Sequence, residues 1–214
     1  MRPEASGASL RRVSMMRVIT DARDQMIRSA ATLIRERGVE RTSFSDVLAH
    51  SGAPRGSIYH HFPRGKAQLV EEATRYAGEV VAKGLARALD GDDPGAALRA
   101  FIATWEAVLR GSDFEAGCSV VAATLEGDRS PAAREQAAAA FARWEELYAG
   151  ALQRRGVVTD RARSLATLAV AAIEGAVVLA RAQRSAEPLR RVARELEELT
   201  LTAVTPTTPS SGGP

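Results

Sequence analysis

The stretch TSFSDVLAHSGAPRGSIYHHFPRGK, residues 42–66, decides the reading of this chain. It encodes two short helices meeting at a sharp turn. Ser43 and Asp46 form a Ser-x-x-Asp capping box, so the first of these helices is expected to start at Phe44. Phe44, Val47 and Leu48 then fall at i, i+3 and i+4 and give it one apolar face. Gly52 stands where that helix must stop, because glycine accepts the left-handed conformation at a helix end. Pro54 suits the first turn of the next helix, where its missing N–H is not needed. Ile58 and Phe62 lie four apart and are expected to face inward, which leaves Ser57, Tyr59, His60 and His61 at least partly outward.

A short helix that offers donors and an aromatic ring to one side fits the major groove of double-stranded DNA. Arg55 is the candidate for a bidentate bond to guanine, because its planar fork matches the O6 and N7 acceptors. Ser57 reaches for a base edge, and Tyr59 for a thymine methyl or a phosphate. His60 belongs to the same contact set, as does Gly56. His61 and Lys66 are expected at phosphate, Lys66 near a helix start where backbone N–H groups also favour an anion. Thr42 and Ser43 close the set from the other helix; Thr42 donates to phosphate, since the Ser43 hydroxyl is used in the cap. The adjacent His60 and His61 do not make a metal pair, because neighbours on a helix point about 100° apart and no third ligand is nearby.

Charge follows the same division. Residues 1–66 hold 12 Lys+Arg against 6 Asp+Glu, whereas the remaining 148 hold 17 against 20, so the positive field sits on the segment expected to meet DNA. The whole chain has 214 residues, 45% hydrophobic and 26% charged, enough for one large or two small soluble domains with a real core. No apolar run approaches the roughly 20 residues that a membrane helix needs. The N-terminal MRPEASGASLRRVSMM has no apolar core of a secretory signal, so a cytoplasmic protein without a membrane partner is expected. Cys118 is the only cysteine, which excludes an internal disulfide and a cysteine-based metal cluster.

The chain is expected to be all-α. Residues 1–19 form a flexible extension in which Arg11, Arg12 and Arg17 are candidates for a DNA-touching arm. A DNA-binding domain of three helices spans 20–66, its first helix running from about Asp21 to Arg37 and stopping at Gly38. A helical effector-binding and dimerisation domain spans 67–203. Its long first helix ends near Leu89, and the segment 90–95, DGDDPG, is a clear break. Further helices are expected over 96–110, 118–126, 131–156, 160–183 and 188–204. The tail 204–214 is too poor in apolar residues to fold.

These residues resemble the TetR family of bacterial transcriptional regulators. "GSIYHHF" and "GKAQL" look like that family's signature, with Gly38, the Thr42-Ser43 pair, Gly52, Tyr59, His61, Phe62, Lys66 and Leu69 in register. Pro54 stands where the family frequently has Ser or Thr. "GCSVVAATLEGDRSPAAREQAAAAFARWEELYAGAL" and "IEGAVVLARAQRSAEPL" look like the C-terminal domain of the family's LmrA/YxaF-like branch. The resemblance implies a homodimeric, sequence-specific regulator, most often a repressor on an inverted-repeat operator, that responds to a small organic effector.

In the second domain, Phe101, Trp105, Phe114, Trp144 and Tyr148 are large groups among many alanines, a composition that leaves cavities between helices. Cys118 and Glu174 join this candidate pocket. Glu174 is the one carboxylate in the otherwise apolar run 169–180; it has a ligand, Arg181 or water as its partner. Ala172, Gly175, Ala176 and Leu179, with Leu189, Val192, Leu196 and Leu199, suggest two faces that pack on a second copy as a four-helix bundle. No cofactor is expected. An enzyme finds no support: the sequence has no phosphate-cradling glycine loop, no Gly-x-Ser-x-Gly, no His-Glu-x-x-His and no cysteine pair. An architectural DNA-binding protein without an effector is the remaining alternative, separable by its weak sequence preference.

Overall fold

The computed structural model describes residues 7–125 and 130–204, with side chains from Ala22 onward. Among the described residues there is no strand. The first group of elements is α1 (Gly7–Arg37), α2 (Phe44–Ser51), a 3₁₀ turn (Arg55–Ser57) running into α3 (Ile58–His61), and α4 (Lys66–Ala88). The second is α5 (Pro94–Gly111), α6 (Ser119–Leu125), α7 (Pro131–Arg154), α8 (Thr159–Gln183) and α9 (Glu187–Val204).

Most boundaries fall within two residues of expectation, and α1 is the exception. It begins at Gly7 rather than near Asp21, so the flexible extension expected over 1–19 is helical from its seventh residue. No Pro or Gly interrupts residues 8–37, and nothing else there stops a helix that has once formed. Residues 1–6, the tail from 205 and the side chains of Arg11, Arg12 and Arg17 lie outside the described residues. The break at 90–95 also differs in detail. Asp93 caps α5, its Oδ1 accepting the N–H groups of Gly95 and Ala96 at 2.9 and 3.0 Å, so Pro94 already sits in the first turn.

Two apolar cores share α4, and α6 and α7 also give residues to both. The smaller packs Met26, Ile34, Val47, Ile58, Phe62 and Leu69. The larger is built around Leu98, Trp105, Leu109, Trp144, Leu152 and Leu189. α4 gives Leu69, Val70 and Ala73 to the first and Leu85 to the second, so it is a wall of both domains rather than a boundary between them. α4 and α7 touch at Gly78, where an added Cβ would lie 2.6 Å from the Cβ of Ala140. Trp144 fixes the crossing by donating its indole N–H to the Gly78 carbonyl at 3.0 Å.

The expected dimer face needs correction. Ala176, Leu189 and Leu196 are buried in their own subunit's larger core and have no surface to offer a second copy. Val192 packs half-buried against the same core, as does Ala172. The face of α8 left open keeps Gly175 and Leu179 of the expected set and adds Leu168, Ala171 and Val178, with Leu168 46%, Val178 56% and Leu179 51% exposed. These positions recur at i, i+3/i+4 and i+7, a continuous apolar stripe down the helix. α8 has 25 residues and contains an 18-residue window of mean hydropathy 1.8, long and apolar enough to cross a membrane by length and composition, contrary to the expectation that no run approaches this. A core helix passes the same test, and α8 packs one side against α7 and α9.

Candidate nucleic-acid interface

The turn between α2 and α3 is set by local bonds. Ser43 Oγ accepts the Asp46 N–H at 3.2 Å and Asp46 Oδ2 accepts the Ser43 N–H at 2.9 Å, closing the capping box and starting α2 at Phe44. The hydrogen bond from Ser43 holds the Asp46 carboxyl below its usual range. At the far end Gly52 takes φ 68°, in the left-handed region, and donates to the Leu48 carbonyl at 3.0 Å. Pro54 sits one step earlier than expected: at ψ 133° it is still extended, and its carbonyl receives the Ser57 N–H at 3.0 Å and the Ser57 hydroxyl at 2.7 Å. The recognition segment therefore opens as a 3₁₀ turn and becomes α-helical only over Ile58–His61.

One helical turn cannot hold itself together in water, because the entropy of nucleation exceeds what a few hydrogen bonds return. Two anchors hold this one. Ile58 and Phe62 are both 0% exposed, four apart on the inner side. The outer side then carries Arg55, Gly56, Tyr59 and His60, all exposed, with Tyr59 71% accessible and its ring resting edge-on against Phe44 at 5.5 Å. This is the outward face that the sequence places on the groove.

Four members of the expected contact set sit differently. Thr42 is buried, and its hydroxyl donates to the Gly38 carbonyl at 2.8 Å; it holds the end of α1 and is not free for phosphate. The Ser57 hydroxyl is spent inside its own turn, on Pro54, rather than extended to a base edge. His61 is half-buried; burial, then His60 and Arg23, push its pKa below the ordinary histidine value, so at neutral pH it can meet a phosphate as a donor but brings no charge. Lys66 donates to the Glu40 carbonyl at 3.1 Å, which places its ammonium beside the loop after α1. Ser43 is exposed, with its hydroxyl in the cap.

Two joints were not foreseen. Arg23 of α1 pairs with the buried Glu72 of α4 and lies over the Phe62 ring, 5.5 Å from its centre; Gln68 donates to the other Glu72 oxygen at 3.0 Å. This ties both long helices to the anchor of the recognition turn. The second joint links the domains: Arg181 of α8 donates to the Glu36 carbonyl at 3.3 Å, and the Gly117 N–H to the Arg35 carbonyl at 2.8 Å. Both cap the C-terminal end of α1, where unpaired carbonyls and the helix dipole favour donors and cations. Arg181 is thus not the partner of Glu174.

The expected pocket is only partly assembled. Phe101, Trp105, Trp144, Tyr148 and Glu174 do line one cavity, between α4, α5, α7 and α8, of about 30 Å³. Phe114 is not among them; it sits at φ 61° in the loop after α5, half-buried against the outside of the core. Cys118 stands behind the wall, its thiol beside the Glu174 carboxylate, and burial pushes that thiol well above the ordinary range. Burial likewise raises Glu174 to a pKa of about 7, and its Oε2 has no hydrogen-bond partner among the described residues. Tyr148 and Thr200 are bonded at 2.6 Å; Thr200 gives its own proton to the Leu196 carbonyl, so Tyr148 is the donor.

Residues 26–73 match the family model described as bacterial regulatory proteins, tetR family, and residues 94–195 the model described as transcriptional regulator LmrA/YxaF-like, C-terminal domain. An HTH-type transcriptional regulator of Mycobacterium tuberculosis is 46% identical over 185 residues, spanning 84% of this chain and 94% of that protein. LmrA of Bacillus subtilis, named as an HTH-type transcriptional regulator, is 28% identical over 181 residues, 84% of this chain and 96% of its own. A crystal structure of a regulatory protein TetR from Rhodobacter sphaeroides superposes with a TM-score of 0.75 at 25% identity, covering 83% of this chain and 98% of that one.

Proposed function

The chain belongs to the TetR family of bacterial regulatory proteins, DNA-binding transcriptional regulators and not enzymes, and from that we propose that it is a homodimeric repressor released from an inverted-repeat operator by a small organic effector. The observation that carries the DNA reading is the outward face of Arg55, Tyr59 and His60 on a turn whose inner side is clamped by Ile58 and Phe62. Arg55 is the residue for direct base readout. Arg55→Ala is expected to cost about 1–3 kcal/mol of operator affinity and to relax preference at one base pair. Selection of bound duplexes from a random pool checks both: the native protein should enrich two half-sites related by a twofold axis, their centres about 34–36 Å or a multiple apart. Enrichment of a single unrepeated site, or of none, contradicts the reading.

The dimer is supported by the α8 stripe. An apolar helix face of this kind is normally covered, and a twofold partner covers it with the same face of its own α8. Gly175 lies in its middle with nothing within 4 Å of where a Cβ would go. Gly175→Glu therefore fits one subunit, and removing a mid-helix glycine favours the helix. In a dimer it introduces unpaired charges into the contact. Light scattering on a sizing column should give twice the chain mass for the native protein and the monomer mass for the variant; a variant that stays dimeric removes α8 from the interface.

The effector reading rests on the aromatic cavity and on its connection to α1. Glu174 lies beside Cys118, whose neighbour Gly117 holds the Arg35 carbonyl, while Arg181, two helical turns along α8 from Glu174, holds that of Glu36. A drug-sized ligand needs roughly 300 Å³ or more. The cavity of about 30 Å³ must therefore open, shifting α4, which packs on α1, or α8, which reaches the end of α1 through Arg181. Such a ligand changes operator affinity only by its preference for the opened state, typically about 1–3 kcal/mol.

A further inference from the structure

We infer that the effector this cavity selects is an organic cation: a flat apolar body carrying one protonated amine that pairs with Glu174. The inference rests on the cavity being the effector site. Its lining is apolar and aromatic but for one charged residue, Glu174. The Cys118 thiol lies beside the carboxylate, and one carboxylate oxygen, Oε2, is buried with no hydrogen-bond partner among the described residues. Two other polar groups of the lining that would recognise a hydroxyl-rich ligand are already engaged. The Trp144 indole N–H is bound to Gly78 and the Tyr148 hydroxyl to Thr200. What the cavity offers a guest is a single unsatisfied acid and the faces of Phe101, Trp105 and Trp144.

Each part selects the same chemistry. A buried carboxylate is costly until an opposite charge meets it, and aromatic faces attract a desolvated cation. A carboxylate ligand would set two like charges in an apolar space, and an uncharged one would leave Glu174 unneutralised. The carboxylate lies beside Cys118, so the cation places its charge near the residue next to the Gly117–Arg35 bond. Recognition and transmission would then share one side chain.

Calorimetric titration of the full chain with three matched probes tests this: 2-naphthylmethylamine, 2-naphthalenemethanol and 2-naphthoate, against the native protein and Glu174→Gln. Glutamine keeps the size of the side chain and brings no charge into the apolar surroundings, so the variant should fold. The amine is expected to bind the native protein at least tenfold more tightly than the alcohol, with the naphthoate weakest. In Glu174→Gln the amine should fall to within about twofold of the alcohol, whose own affinity stays the same. Equal binding of amine and alcohol by the native protein overturns the inference while leaving the cavity as an effector site. An amine preference that survives Glu174→Gln overturns it too, by placing the attraction elsewhere. Failure of all three probes at millimolar concentration removes the inference and the cavity reading together.

Discussion

Phe62→Ala is expected to cost about 3–5 kcal/mol and to abolish operator binding while the protein remains a folded dimer. Phe62 is 0% exposed, belongs to the smaller core and lies under the Arg23 guanidinium. Its removal leaves a cavity at the one point where α1, α3 and α4 converge. α3 has four residues, and with Ile58 as the sole remaining anchor it loses the packing that substitutes for intrinsic helix stability. The larger core does not include Phe62, so dimer mass and most of the helical signal should persist. Urea unfolding followed by circular dichroism should split into two steps, the earlier belonging to the N-terminal domain, and amide exchange should quicken over 55–70 before it does elsewhere. Operator affinity within twofold of the native value would mean that the recognition face does not depend on this anchor. Comparison with Arg55→Ala separates the two roles. One change removes a contact and keeps the platform; the other removes the platform and with it every contact that it carries.

The recognition turn was legible because its determinants are local. A serine and an aspartate three residues apart, a glycine at the helix stop and two apolar residues four apart are each read within one or two turns of chain, and each stands in the structure where it was expected. Where local reading failed, a bond was closed by a partner that the sequence could not favour over water or DNA. Thr42 and Ser57 carry hydroxyls that suit phosphate equally well; the backbone carbonyls of Gly38 and Pro54 reach them first. The domain joints are invisible for a different reason. Arg23 meets Glu72 across 49 residues and Arg181 meets Glu36 across 145, and nothing along the chain marks either pair.

The dimer face failed on phase. An amphipathic helix declares its buried side by the side that is polar. α8 is apolar nearly all round: Ala176 and Val177 face the core while Val178 and Leu179 face out. Periodicity alone cannot rank two apolar sides, so residues from both were assigned to one interface. The same composition makes α8 resemble a membrane span. α9 misled in the opposite way. On its apolar side Leu189 and Leu196 are used up inside the subunit, and of the expected residues there Leu199 alone stays exposed, at 36%.

Glu174→Gln is expected to stabilise the ligand-free protein by up to about 3 kcal/mol above pH 8 and to change little below pH 4. The sign follows from which state holds the proton more tightly. Burial raises the folded-state pKa of Glu174 from 4.5 to about 7, so the folded protein keeps this proton to higher pH than the unfolded chain does. Stability from this group is complete while both states are protonated, below pH 4.5. It declines as pH rises through the interval to about 7, because ionising the folded protein then strands a charge among aromatic rings. A tenfold difference in proton affinity is worth about 1.4 kcal/mol, which sets the ceiling at about 3 kcal/mol. Glutamine cannot ionise and should flatten this part of the pH profile. Thermal melts of both proteins at pH 5 and pH 8, at one fixed protein concentration because a dimer's midpoint depends on it, read the difference directly. Parallel pH profiles would show that the Glu174 carboxyl ionises as freely as one in water, and the cavity would then have no electrostatic reason to select a cation. A widening gap in favour of the glutamine variant would show a cost carried by the empty protein and relieved when a positive ligand arrives. The charge that weakens the unliganded fold is then the same charge that gives the effector its hold.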